Sequence, residues 1–236
     1  MSTSENFVII VAAGKGLRMG SKMKKQYLYL GKMPILTRTI MAFDRCDLVH
    51  EIVLVVPREE MGFCQQQMID PFGLTKKIHL VTGGKYRQDS VLNGLTLIRD
   101  RMNCERNTIV MIHDGVRPFV DHGLIESCIQ KAGEYGACIP AVRITDTVKD
   151  VSGDGFIQQT LNRETLYKAQ TPQTFKMALI WRAFEHAGAT SFSGTDDASI
   201  VEHYGCKVMI TRGSDLNIKL TTPDDLALGQ YLLTRD

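Results

Sequence analysis

The sequence predicts an α/β fold: a mostly parallel sheet with helices on both faces, plus one protruding β-hairpin. Three observations lead there. Short apolar runs at 7–13, 52–56, 78–81, 108–112 and 138–142 alternate with longer segments of helical period. Those runs are apolar throughout rather than alternating in polarity, as expected of strands covered on both faces. The alternation then breaks at 143–163, where β-branched residues flank Ser152-Gly153-Asp154-Gly155, a hairpin signature.

Taken in order, the run at 7–13 is the first strand. A helix over 34–43 follows, with Pro34 at a first-turn position that suits its fixed φ. Helices are expected at 59–69, 90–101 and 124–134, each between two strands. The pattern is β-α-β-α-β-α-β-α-β, a Rossmann-like order with right-handed crossovers. After the hairpin, helical period returns at 176–187 and 197–204. Strands are expected at 207–211 and 217–220. The last helix starts at Thr222-Pro223-Asp224-Asp225, with Thr222 as N-cap, Pro223 at the first helical position and two acids at the positive helix end. The 236 residues read as a single domain over 1–236, with 142–163 as an arm within it.

Composition narrows the function. The chain is 44% hydrophobic, too apolar for disorder. Its 28 Lys+Arg stand against 26 Asp+Glu, a net charge of +2, so no broad basic surface is available for a nucleic acid or a membrane. Work on an anionic ligand must come from a few local cations. The six cysteines are scattered, with no Cys-x-x-Cys pair, and read as small core residues in a reducing compartment. The first apolar run is too short to span a bilayer. Glu5, with no Lys or Arg, precedes it, so it reads as a strand rather than a signal core and the protein as cytoplasmic.

Several segments can carry chemistry. The first strand runs into Ala12-Ala13-Gly14-Lys15-Gly16-Leu17-Arg18-Met19-Gly20. A glycine-rich turn at the carboxyl end of such a strand lets backbone N–H groups approach a phosphate chain. Its third glycine comes one position late for a dinucleotide fingerprint, and it lacks the Gly-Lys-Ser/Thr ending of a P-loop. Lys25 follows within a basic stretch; Arg18 and Lys25 can both reach a triphosphate, one as a planar fork and one as a point charge. Gly83, Gly84 and Ser90 lie between a strand and a helix, where they form either a turn with a helix cap or a seat for a base and ribose. Asp114 ends the fourth core strand and suits either Mg²⁺, which takes one or two carboxylates plus phosphate oxygens, or a turn. His113 points to the opposite face and reads as structural. No Gly-x-Ser-x-Gly elbow surrounds Ser90, so it is no triad nucleophile.

Together the segments are specific. Ala12-Ala13-Gly14-x-Gly16-x-Arg18-Met19-Gly20, Lys25-Gln26-Tyr27, Asp89-Ser90-Val91 and His113-Asp114-Gly115-Val116-Arg117-Pro118 occur in order. Asp146-Thr147-Val148-Lys149, Gln170-Thr171-Pro172-Gln173, Thr195-Asp196-Asp197-Ala198 and Asn217-Ile218-Lys219 continue the series. The chain closely resembles the 2-C-methyl-D-erythritol 4-phosphate cytidylyltransferases over nearly its full length. That resemblance implies the fold type of the nucleotide-diphospho-sugar transferases. It implies CTP over Ala12, Ala13, Gly14 and Gly16, with Gly83, Gly84, Ser90 and Gly115 around the nucleoside. Arg18 and Lys25 match the residues that stabilise the transition state, and Asp114 the Mg²⁺ ligand. Arg163 and Lys219 match those that position the sugar phosphate; Arg117, Thr147 and Thr195 match further acceptor contacts. The arm of the family crosses to a partner subunit, which implies a homodimer with shared sites. Gly115 is a minor departure, since many relatives carry Ala there.

The implied chemistry is attack of an acceptor phosphate on the α-phosphorus of CTP, with pyrophosphate leaving. The nucleophile is already an anion, so the residues need only position charges and neutralise them. A rival within the class is a ribitol 5-phosphate cytidylyltransferase, which shares the glycine loop and Gln-Thr-Pro-Gln. A rival outside it is a nicotinamide oxidoreductase. The misplaced glycine counts against that, as does Pro57-Arg58 where an acid should end the second strand.

Overall fold

A computed structural model describes residues 5–14, 24–101 and 107–234. Gly16 and Arg18 therefore lie outside the described residues, as does most of the glycine-rich turn.

The core strands are β1 (Asn6–Val11), β4 (Glu51–Val56), β5 (Lys77–Thr82), β6 (Ile109–Asp114) and β7 (Ala137–Arg143). Between them lie α1 (Ile35–Asp44), α2 (Met61–Cys64), α3 (Arg87–Arg101) and α4 (His122–Tyr135). A two-rung hairpin of β2 (Tyr29–Leu30) and β3 (Met33–Pro34) precedes α1. Pro34 closes that rung and sits just outside the helix rather than within its first turn. The segment expected as one helix over 59–69 is broken into the 3-10 turn Arg58–Glu60, α2, the π-helical Gln65–Ile69 and the 3-10 turn Asp70–Phe72.

The expected arm is present as β8 (Lys149–Val151) and β9 (Ile157–Thr160), an antiparallel pair that forms a sheet of its own. Then come β10 (Tyr167–Ala169), β11 (Gln173–Lys176), α5 (Met177–Ala189), α6 (Asp197–His203), β12 (Met209–Arg212) and α7 (Pro223–Leu232). Thr222 caps α7 through a capping box with Asp225, as its sequence predicts. The strand expected at 217–220 is instead irregular chain.

Among the described residues the main sheet has eight strands, in the order β10-β7-β11-β6-β1-β4-β5, with β12 also paired to β7. The β1–β4, β1–β6, β4–β5 and β7–β12 pairs are parallel; β10 and β11 run antiparallel to their neighbours. Sequence period alone did not reveal β10 and β11, which are three and four residues long and flank Gln170-Thr171-Pro172. Successive side chains of the core strands alternate between two apolar layers. Val8, Ile10, Ile52 and Leu54 pack with Leu36, Ile40 and Phe43 of α1 on one face. Phe7, Ile9, Val53 and Val55 pack with Val91 and Leu95 of α3 and Ile180 of α5 on the other. Burial on both faces explains why these strands read as continuous apolar runs. The same register brings the carboxyl ends of β1, β4, β5 and β6 to one edge.

Candidate active site

That edge holds a cavity of about 500 Å³. Ala12, Ala13 and Gly14 line it from the end of β1, Gly84 to Tyr86 from the β5–α3 turn, Arg87 and Ser90 from the start of α3, Asp114 and Val116 from the end of β6, and Lys25, Gln26 and Lys219 close it.

The β1 end is tied to its neighbours within the chain. Ala12 N–H donates to the Val55 carbonyl at 2.8 Å. The Gln26 side-chain amide donates to the Ala12 and Gly14 carbonyls at 2.9 and 3.3 Å. The β5–α3 turn needs its glycines for space. A Cβ on Gly83 would lie 2.3 Å from the Ala13 Cβ, and one on Gly84 2.2 Å from the Asp89 Cβ. Ser90 is not the cap expected of it, since α3 begins three residues earlier. Its buried hydroxyl accepts from Gly84 N–H at 3.0 Å and donates to the Tyr86 carbonyl at 3.1 Å, which sets the turn against the helix.

Asp114 is the electrostatic centre. Lys219 Nζ lies 2.8 Å from its Oδ2, Arg117 Nε 3.5 Å from the same oxygen, and Arg87 Nε 3.8 Å from Oδ1. Burial alone would raise the Asp114 carboxyl, but the Lys219, Arg87 and Arg117 cations outweigh it and hold the group well below the usual carboxylate range. Asp114 is thus ionised at neutral pH. Arg87 is fixed from behind: Nη1 and Nη2 donate to the two Asp197 oxygens at 3.0 and 2.7 Å, and Asp197 is fully buried. Burial disfavours the Arg87 guanidinium, yet the Asp197 carboxylate more than compensates and keeps it charged.

His113 is structural, as its position on the strand implies. The Arg117 carbonyl can only accept, so His113 Nε2–H donates to it at 3.1 Å and Nδ1 of the neutral ring accepts from the Thr171 hydroxyl at 3.0 Å. Thr171 Oγ1 in turn accepts from Asp114 N–H at 3.2 Å. Burial pushes the neutral imidazole's pKa down to about 4.

The sequence-based site residues fall into three groups. Ala12, Ala13, Gly14, Gly84, Ser90, Lys25, Asp114 and Lys219 converge on the cavity. Gly83, Gly115 and Arg117 stand behind its wall. The Gly83 and Gly115 amides donate to the Val56 and Val11 carbonyls, and Arg117 Nη1 donates to the Asn217 carbonyl at 2.7 Å. Thr147, Arg163 and Thr195 are exposed and do not line the cavity. Arg163 Nη1 donates to the Thr145 carbonyl at 2.7 Å within the arm region.

Motif reading missed Arg87 and Gln26 as members of the wall, and missed what Gln-Thr-Pro-Gln does. Gln170 donates to the Ser214 carbonyl at 2.8 Å and accepts from Ser214 N–H at 3.1 Å, holding the chain that leads to Lys219. Gln173 accepts from the Asp197 and Ala198 amides, both at 2.9 Å, and donates to Asp196 at 2.7 Å, holding the start of α6. The signal available was the pairing of two long amides around a proline.

A profile of the 2-C-methyl-D-erythritol 4-phosphate cytidylyltransferase family matches residues 6–235. The chain belongs to that family. It is 43% identical over 230 residues to the 2-C-methyl-D-erythritol 4-phosphate cytidylyltransferase of Clostridium novyi, covering 98% of this chain and 97% of that one. It is 45% identical over 227 residues to the enzyme of the same name from Geobacter metallireducens, covering 96% and 97%. The crystal structure of 4-diphosphocytidyl-2C-methyl-D-erythritol synthase from Anaerococcus prevotii superposes with a TM-score of 0.84 at 30% identity, covering 98% of this chain and 97% of that chain. In a member of this family, the convergence of a glycine-rich strand end, Lys25, Asp114 and Lys219 falls where α/β sheets bind nucleotides. Among the described residues, no helix is long and apolar enough to cross a membrane.

Proposed function

We propose that this chain transfers the cytidylyl group of CTP to 2-C-methyl-D-erythritol 4-phosphate, releasing pyrophosphate and forming 4-diphosphocytidyl-2-C-methyl-D-erythritol. The observation that carries the reading is the cavity at the carboxyl edge of the sheet, lined by Lys25, by the strand end Ala12–Gly14 and by the ionised Asp114 paired with Lys219. Among the described residues none there forms a nucleophile–base pair, and the reaction needs none. The acceptor phosphate is an anion that attacks the α-phosphorus in line, and the wall supplies position and positive charge.

In this reading Arg18 and Lys25 neutralise charge that builds on the phosphorus. Lys219, Arg163, Arg117, Thr147 and Thr195 hold the acceptor. Gly16, with Ala12, Ala13 and Gly14, cradles the triphosphate, while Gly83, Gly84, Ser90 and Gly115 shape the nucleoside seat. Asp114 fits Mg²⁺. It is an ionised carboxylate lining the cavity, and a divalent ion of this kind takes one or two carboxylates with phosphate oxygens completing its shell. When bound, the ion adds positive charge against the triphosphate. The protein's own part is to keep Asp114 ionised and oriented, through Lys219, Arg117 and Arg87.

Thr147 and Arg163 lie on the exposed arm region, whose tip carries exposed Val151, Phe156 and Ile157. An apolar tip beside acceptor-type residues supports an arm that crosses to a second copy and completes its site, making the homodimer the working unit. The described cysteines are free, which suits a reducing cytoplasm. The test is pyrophosphate release with CTP and Mg²⁺, offering each acceptor separately. Turnover is expected with 2-C-methyl-D-erythritol 4-phosphate. Turnover with ribitol 5-phosphate alone overturns the reading.

A further inference from the structure

We infer that Glu60 is a positioning residue for Lys25. The inference rests on the role given to Lys25 above. Lys25 opens a single 3-10 turn, Lys25–Tyr27, bounded by Lys24. One carboxylate brackets that turn from both ends. Lys24 Nζ lies 2.7 Å from Glu60 Oε1, and the Tyr27 hydroxyl donates to Glu60 Oε2 at 2.7 Å. Residues three apart eclipse one another in such a turn, so a single side chain can take both. A second grip comes from Gln26, on the Ala12 and Gly14 carbonyls. Lys25 lies between the two grips and lines the cavity; Glu60 does not line it.

Glu60 itself is well anchored. It ends the 3-10 turn that follows β4, with its N–H donating to the Pro57 carbonyl at 3.0 Å. The buried Tyr27 ring meets Phe63 edge-on at 5.1 Å, and its hydroxyl also contacts the Cys64 thiol at 3.3 Å. The second core strand thereby sets where Lys25 starts. A lysine is a point charge on a flexible stem, so the backbone must fix its reach, and a displacement of about 1 Å costs on the order of 10²-fold in rate. A bracket that fails only in part should lose less.

The experiment uses the full-length enzyme with saturating CTP. Glu60→Ala should lower kcat about tenfold and leave the acceptor KM within about twofold, as for a loss confined to the transition state. Glu60→Gln, which keeps an acceptor for Tyr27, should fall between that variant and the parent. Lys24→Glu and Glu60→Lys should each lose about as much as Glu60→Ala, and the two combined should regain part of kcat, because the swap restores the ion pair but not the acceptor for Tyr27. Thermal unfolding midpoints verify that each variant folds. Parent-like kcat in folded Glu60→Ala overturns the inference, as does a charge swap that restores the midpoint without kcat. Lys25→Ala separates the two levels: if it keeps parent kcat, the role of Lys25 itself is wrong. If it is inactive while Glu60→Ala is not, only the bracket fails.

Discussion

The strand-end cluster and the arm use the same kinds of residue in opposite ways. Around Asp114, three cations, a buried aspartate and two glutamines tie elements from five parts of the chain into one wall. On the arm, Thr147 and Arg163 are exposed, and the described contact of the Arg163 guanidinium is one backbone carbonyl. The strand-end cluster is organised within one chain. The arm residues are offered outward. Pre-ordered charges need no reorganisation during reaction, whereas outward ones act only where something is brought to them.

The strongest way to break that contrast is subunit exchange. Lys25→Ala and Arg163→Ala should each lose on the order of 10²–10³ in kcat, the scale of removing one aimed donor. Mixed subunits should regain activity, because one of the two sites then keeps both residues. Confirmed exchange without recovery would place Arg163 in its own chain's site and collapse the distinction.

Next comes Asp197→Ala. It removes the counter-charge behind Arg87 and should lower stability by about 3 kcal/mol, the low end for breaking a buried pair because Arg87 reaches the cavity. Urea unfolding measures it; a change below about 1 kcal/mol would show that the wall is not held from behind.

The cluster also has a pH signature. His113 titrates near 6.5 when unfolded and near 4 when folded, so the folded state disfavours its proton. Stability is complete above about pH 6.5 and is lost as pH falls toward 4, by up to about 3 kcal/mol. The Asp114 contribution is present in full above the ordinary carboxylate range and is lost only as pH falls below it, since its carboxyl is held under that range in the folded state. Comparing urea midpoints at pH 7 and pH 4.5 for parent and His113→Gln should show the slope shrink in the variant.

The smallest effect belongs to the arm. Lys149 Nζ donates to Thr160 Oγ1 at 2.6 Å, as short as many contacts of the cluster, but it is exposed. Lys149→Ala should change stability by about 0.5 kcal/mol or less. A larger loss would mean that the arm is structurally committed in the free chain.

Both the arm and the core strands were legible in the sequence, because period and turn chemistry are local. Asp114 and Lys25 were legible as strand-end and loop charges. Arg87 was not, because its partner Asp197 lies 110 residues away and nothing local marks the pair. The broken segment after β4 misled for a related reason: Glu59 to Ile69 has helical composition, yet its first residues belong to the short 3-10 turn that follows Pro57, where Glu60 meets the distant Lys24 and Tyr27. The strands flanking Thr171-Pro172 are too short to show a period, so only pairing with β7 and β6 reveals them.

Gln170 grips the 214–217 segment through main-chain atoms: the Ser214 carbonyl and amide, and the Asn217 carbonyl at 3.4 Å. A grip on backbone is blind to the side chains it carries. Asp215 and Leu216, both exposed, are therefore free to be exchanged while Lys219 stays on station. That short stretch is a socket whose insert can be replaced without rebuilding the frame.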